Sequence, residues 1–198
     1  DFNHILTSQI SRVEILKGNQ SSVYGSGAIG GTINIFTKTP KKGFHKEFQY
    51  NTGSNGLQNI AGSLSGADEN NSFYLGLERF HTDGISAMMH NDEKDRYRNN
   101  SVIAKYDYKF SDKLKFKSNL RYTDTYLQYD KVIDTATATH DEEVDGTEAS
   151  YNMSFVYDYN KKFINKLSFA NTYIKRIYGA TENSGNALQD NYYGDRYA

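Results

Sequence analysis

Few residues in this chain have the types and spacing that chemistry requires. Gly25-Ser26-Gly27-Ala28-Ile29-Gly30 matches GxGxxG, the turn that brings backbone N–H groups onto a pyrophosphate at a helix N-terminus. Such a site needs a helix opening at the last glycine. The next residues are instead Gly31-Thr32-Ile33-Asn34-Ile35-Phe36-Thr37, a β-branched alternating run that predicts a strand. Glu47 stands at about the distance of a ribose-binding acid, but inside another alternating run with no helix before it, so a nucleotide site is not expected. His4, His45, His81, His90 and His140 are dispersed, without HxxxH or HExxH spacing, and predict no histidine metal site. Met88-Met89-His90 can either touch an apolar ligand or form a loop tip. Asp141, Glu142, Glu143 and Asp145 supply the hard oxygen ligands that calcium takes, though not at EF-hand spacing; a solvated acidic loop is the other reading. No Ser-His-Asp order, nucleophile elbow or paired-carboxylate site can be isolated, and no enzymatic activity is expected.

The elements that would position these residues are strands. Residues 12–16 and 32–37 alternate apolar Val13, Ile15, Ile33 and Ile35 with polar neighbours, and a Gly- and Ser-rich segment separates them. Arg12 and Glu14, two apart, share one side of their strand. Pro40-Lys41-Lys42-Gly43 then reads as a joint. Beyond it, alternating runs recur: Phe44, Phe48 and Tyr50 before a turn at 53–56, Ile60 and Leu64 after it, then Phe73, Leu75 and Leu77. Val102, Ala104, Tyr106, Tyr108 and Phe110 alternate with Lys105, Asp107 and Lys109 in the clearest strand, whose apolar set is expected to face lipid and whose charged set is expected to face inward. Leu114 to Tyr126, Tyr151 to Tyr159 and Leu167 to Ile177 continue the pattern, and an eighth strand starts near the end. Connections alternate between short (67–71, 111–113, 160–165) and long (84–98, 129–148, 179–191). Short periplasmic turns and long external loops characterise outer-membrane barrels, whose crossings take about 9–11 residues.

Composition narrows the classes. A net charge of −1 with no long basic tract argues against nucleic acid as a partner. Absence of cysteine excludes disulfides and thiolate zinc sites without indicating a compartment. No run reaches the length of a membrane-spanning helix, yet a membrane barrel leaves only a weak hydropathy signal in each strand. With 17 Tyr, 11 Phe and one Pro, the chain suits many exposed strands.

Arg12-Val13-Glu14-Ile15-Leu16-Lys17-Gly18, Ser21-Ser22-Val23-Tyr24-Gly25, Ala28-Ile29-Gly30-Gly31-Thr32-Ile33-Asn34-Ile35 and Thr37-Lys38 together resemble the end of the plug domain of TonB-dependent outer-membrane receptors. Asn19 departs from the family pattern, which usually has proline there. The resemblance implies an all-β chain: residues 1–40 as the C-terminal part of a plug, and residues 41–198 as the first seven or eight strands of a transmembrane antiparallel β-barrel of about 22 strands. It places Arg12, Glu14, Gly18, Tyr24, Gly25, Gly30, Gly31 and Asn34 as plug structural residues, with Arg12 and Glu14 either pairing with charges on the inner barrel wall or forming a surface pair within one strand. The chain opens at Asp1 without an initiator methionine or signal segment, and a fragment is expected. The resemblance further implies a Gram-negative outer membrane as location, and TonB, membrane lipid and lipopolysaccharide as partners, with no resident cofactor. Residues 51–59 and 81–86 are most similar to the cobalamin-receptor branch, which implies a corrinoid cargo, with an iron chelate, siderophore or haem, as the alternative; a nonenzymatic barrel with a structural or adhesive duty is the remaining reading. Receptors of that branch hold calcium in acidic external loops, which is what residues 141–145 would do here.

Overall fold

The computed structural model describes residues 4–86, 94–132, 139–160, 163–181 and 189–197, with side chains for all of these except 131–132, 139–141, 180–181 and 189–197. The described chain is almost entirely antiparallel strand. A two-stranded sheet comes first: β1 (Ile10–Lys17) pairs with β2 (Gly31–Thr37), Ile15 opposite Ile33 and Val13 opposite Ile35. Between them lie a single helical turn, α1 (Ser21–Tyr24), and a 3-10 turn (Ser26–Ala28). Gly31 closes this unit at φ 142°, and a Cβ there would stand 2.6 Å from the Leu16 carbonyl oxygen. Only glycine fits such an approach. The GxGxxG run therefore leads into β2 and not into a helix.

The remaining strands form one eight-stranded sheet in sequence order: β3 (Gly43–Thr52), β4 (Gln58–Ala67), β5 (Asn71–Thr82), β6 (Tyr97–Lys109), β7 (Leu114–Val132), β8 (Thr139–Asn160), β9 (Phe163–Thr181) and β10 (Gln189–Tyr197). The turns at one end are tight. Asp68 accepts hydrogen bonds from the N–H groups of Asn70 (2.8 Å) and Asn71 (2.7 Å), and the Ser111 hydroxyl accepts from Leu114 N–H at 3.1 Å. Such side chains replace backbone acceptors in a turn. The Asp68 carboxyl is held below its usual range by those N–H groups.

At the other end the connections differ from the expected loops. Residues 129–148, expected as a polar loop, are largely strand: β7 runs 19 residues and β8 runs 22, against 10 for β3 and β4. At ~3.4 Å per residue β8 extends about 75 Å, far more than the 9–11 residues an oblique bilayer crossing takes. Cross-strand pairs carry it upward: Tyr126 donates its hydroxyl to Glu143 (2.9 Å) and Tyr129 donates to Glu142 (2.6 Å). β9 likewise continues to Thr181, into the segment expected as a loop from Gly179. Met88, Met89 and His90 lie outside the described residues.

The two faces of the sheet differ in kind. One carries Phe44, Phe48, Leu64, Leu75, Leu77, Tyr106, Leu120, Tyr122, Met153, Phe155, Leu167 and Phe169, all exposed. The opposite face buries Glu78, Asn99, Ser101, Ile103, Thr123, Thr125 and Ser154, and the β1–β2 unit lies on that side. Val102, Ala104, Tyr106 and Tyr108 stand on the outer face and Lys105 turns inward, as the alternation predicts. Ile103, also inward, lines a small cavity with Leu6, Ile10 and Ile35, beside Gln9 and Arg121.

Candidate functional site

The inner face grips the segments that flank β1 and β2. Residues 4–10 lead into β1, and their backbone needs hydrogen-bond partners where it meets the wall. Asn99, fully buried on β6, donates its amide to the His4 carbonyl at 3.0 Å, and Arg121 on β7 reaches the same oxygen at 3.5 Å. The His4 ring stacks on Tyr97, 5.9 Å between centroids, and its Nδ1 lies 3.0 Å from the Tyr97 hydroxyl. Burial, with the nearby Arg176 and Arg121 cations, pushes His4 below the usual histidine range.

The next anchor is Glu78, 4% exposed on β5. It accepts from the Ser8 hydroxyl and, at 3.0 Å, from the Asn59 amide of β4. Where β2 ends, Lys105 donates to the Thr37 and Lys38 carbonyls at 3.2 and 2.8 Å. Lys38 itself pairs with Glu47 of β3 at 2.6 Å. Alternation along each strand decides which residues do this. Glu78 pairs in register with Ser101, Ser101 with Thr123 and Thr123 with Glu148, so one line of inner side chains faces the unit. The sequence reading missed Glu78; the signal it carries is a single acid in phase with Tyr74 and Gly76 on the inner side of its strand.

Above this contact the wall leaves a pocket of about 280 Å³, lined by His4, Thr123, Thr125, Tyr129, Arg176 and Tyr178 among others. Glu148 also lines it, 3.7 Å from Arg121. Hydroxyls, the acid Glu148 and the basic His4, Lys175 and Arg176 beside apolar residues can hydrogen-bond a polar ligand.

The TonB-dependent receptor plug domain family model matches residues 1–32, which include His4 and Ser8 held by the wall. The chain is 31% identical over 133 residues to the vitamin B12 transporter BtuB of Photobacterium profundum, an alignment covering 66% of this chain and 22% of that protein. These likenesses support a TonB-dependent receptor related to BtuB. Vitamin B12 transporters BtuB of Vibrio vulnificus (29% over 139 residues; 65% and 22% covered) and Vibrio cholerae (28% over 135 residues; 66% and 22%) are similar to it as well. It therefore spans about a fifth of the length of the curated relatives it matches. Among solved structures, BauA, the ferric preacinetobactin receptor from Acinetobacter baumannii, superposes with a TM-score of 0.52 at 14% identity over 96% of this chain and 40% of that one; this likeness concerns the fold.

The receptor's expected plug residues assemble in part. Tyr24 and Asn34, ten apart, meet: the Asn34 amide donates to the Tyr24 hydroxyl at 3.1 Å. Gly18 and Gly25 take positive φ of 88° and 87°, whereas Gly30 has open space around it. Arg12 and Glu14 pair with each other at 2.8 Å, both side chains solvent-accessible, with Arg12 also over the Phe36 ring at 4.2 Å. Among the described residues neither reaches the wall, so the within-strand pair is the arrangement found. Sharing a side and spaced two apart, they meet each other before a distant partner.

The acidic set does not assemble. Lying in β8, Glu142 and Glu143 point to opposite faces and bind different tyrosines. The side chain of Asp141 lies outside the described residues. Among the described residues no group of three or more His, Cys, Asp or Glu side chains is placed to hold a metal ion.

Proposed function

We propose that this chain supplies the plug end, residues 1–40, and the first eight barrel strands, residues 41–198, of an outer-membrane receptor that takes up cobalamin by TonB-driven transport in a Gram-negative bacterium. The observation that carries the reading is the plug segment held by buried Glu78 and Asn99 and half-buried Lys105 on the polar face of a sheet whose other face is apolar. That arrangement is what a plug inside a membrane barrel requires: polar groups line the lumen and apolar ones meet lipid. An open sheet with free edges at β3 and β10 needs further strands to close.

Cobalamin as cargo is supported by the similarity to vitamin B12 transporters. The pocket above His4, with its hydroxyls and phenols, can hydrogen-bond one portion of a ligand that carries many amide groups. A ferric siderophore is the second reading, favoured by the likeness in fold to the ferric preacinetobactin receptor. Calorimetry on the full-length receptor with cobalamin, a ferric siderophore and haem distinguishes them. Tight cobalamin binding is expected; tight binding of a competitor with none of cobalamin refutes the cargo and leaves the receptor class standing.

A further inference from the structure

The segment that leads into β1 is fastened by a network that works in one protonation state. Asn99 uses both of its amide hydrogens: one goes to the His4 carbonyl at 3.0 Å, the other to the Tyr97 hydroxyl oxygen at 2.9 Å. Its amide oxygen accepts from the Ser101 hydroxyl at 2.8 Å, which settles the end of the amide that faces the segment. Because the phenol oxygen already accepts from Asn99, the phenol proton is left for His4 Nδ1, 3.0 Å away. Nδ1 then accepts, and the ring is neutral with its proton on Nε2. A proton on Nδ1 would set two donors against each other.

An imidazolium would also meet the wrong charges. Among the described residues, the charged and titratable groups around the ring are Tyr97 on β6, Arg121 on β7, Glu148 on β8, and Arg176 with Lys175 on β9; the phenols of Tyr129 and Tyr178 line the same pocket. Glu148 is the acid of this set, and Arg121 competes for it at 3.7 Å. Arg121 is itself tied to the His4 carbonyl at 3.5 Å, which keeps its cation beside the ring. Burial is the main reason that His4 sits below the usual histidine range, with Arg176 and Arg121 adding to it and Glu148 opposing them.

We propose that His4 is an acid-released latch: neutral, it fastens the segment before β1 to β6 and β7; protonated, it lets that segment leave the wall. Seating is fully supported above the detached histidine's pKa of about 6.5, and that support is lost as pH falls from there through the lower seated value. The latch rests on the plug reading above and not on the identity of the cargo.

Two spin labels in the full-length receptor test it, one at Thr7→Cys in the segment and one at Glu69→Cys in the turn between β4 and β5, both exposed positions. In lipid vesicles a seated segment gives one narrow label-to-label distance, and a detached one gives a broad distribution. Urea, kept at concentrations that leave the strand content unchanged, brings detachment into range. In the wild-type background the detachment constant should rise by up to about tenfold per pH unit below about pH 6.5. His4→Phe keeps a ring for the stack but no titrating nitrogen, and its detachment should not change over the same interval. Tyr97→Phe removes the phenol proton and should show a smaller rise than the wild type. A wild-type constant that ignores pH or falls in acid, or an undiminished rise in either variant, would overturn the latch. Absence of a narrow distance at every pH, without urea, would instead show that the segment does not seat on the wall, and would overturn the plug reading beneath it.

Discussion

The lower and upper reaches of the β7–β8 pair use the same backbone ladder for different solvents. Below the register line of Asp124 and Thr147, outer residues Leu120, Tyr122, Tyr151, Met153 and Phe155 are apolar and inner ones are polar. Above it the outer face turns polar, with Asp124, Gln128, Glu143 and Asp145, while the pocket side mixes Leu127 and Val144 with Glu142 and Tyr129. On the outer-membrane reading proposed above, the lower reach gains its definition from what it touches, lipid on one face and the plug segment on the other. The upper reach has no such partner outside. It depends on backbone hydrogen bonds and on cross-strand tyrosine–carboxylate pairs, each a modest contribution in water.

The sharpest way to break this contrast is a charge placed on either side of the line. Phe155→Lys, on the outer face of the lower reach, should cost about 2–4 kcal/mol in a bilayer, while Gln128→Lys above the line should stay within about 0.5 kcal/mol. Unfolding titrations of the full-length receptor in lipid vesicles measure both; equal costs would move the lipid boundary. On the inner side of the lower sheet, Glu78→Ala strands the Asn59 amide and the Ser8 hydroxyl at a cost of about 1–3 kcal/mol. Small-solute leakage through the reconstituted receptor should rise, and Glu78→Gln should restore most of the seal. Arg12→Ala, which breaks only an exposed pair, should change stability by less than about 1 kcal/mol and leave leakage at the wild-type level.

The upper reach is sharpened by removing its phenols. Tyr126→Phe with Tyr129→Phe should cost about 0.5–1.5 kcal/mol for each bond lost. Amide exchange should quicken above Asp124 and stay slow at Tyr151 to Phe155; uniform quickening would mean that the pair unfolds as one. Acid should act most weakly, at the exposed ends. Asp68 is depressed by the backbone N–H groups of Asn71 and Asn70, and Asp83 by its hydrogen bond from Lys94. A depressed carboxylate contributes fully above its unfolded pKa of about 3.9, and the contribution is lost as pH falls through the folded value. Exchange of the Asn70 and Asn71 amides should therefore be pH-independent in protection near neutrality and lose protection only below about pH 4.

Much of this was legible in the residues themselves because it is local. Strand alternation in Val102 to Phe110 shows which side is apolar, since successive side chains must point to opposite faces. Gly18, Gly25 and Gly31 mark backbone conformations that a Cβ resists, and Asp68 and Ser111 mark turns that their own side chains close. The run from Arg12 to Lys38 carries the family signature within one hairpin. What tertiary structure alone decided involves partners far along the chain. Ser8 meets Glu78 across 70 positions and Asn99 meets His4 across 95. The acidic run at 141–145 looks like a loop because its composition is polar, but residues 126–129 of the facing strand offer it hydroxyl donors in register, and pairing carries it into a strand. Register then separates Glu142 from Glu143, and the calcium set is divided between two faces. Arg12 illustrates the same limit from the other side: its charge is visible in the sequence, but whether it meets Glu14 or the wall depends on how β1 sits on the inner face. A local pattern specifies which way a side chain points; the neighbouring strand determines what it meets there.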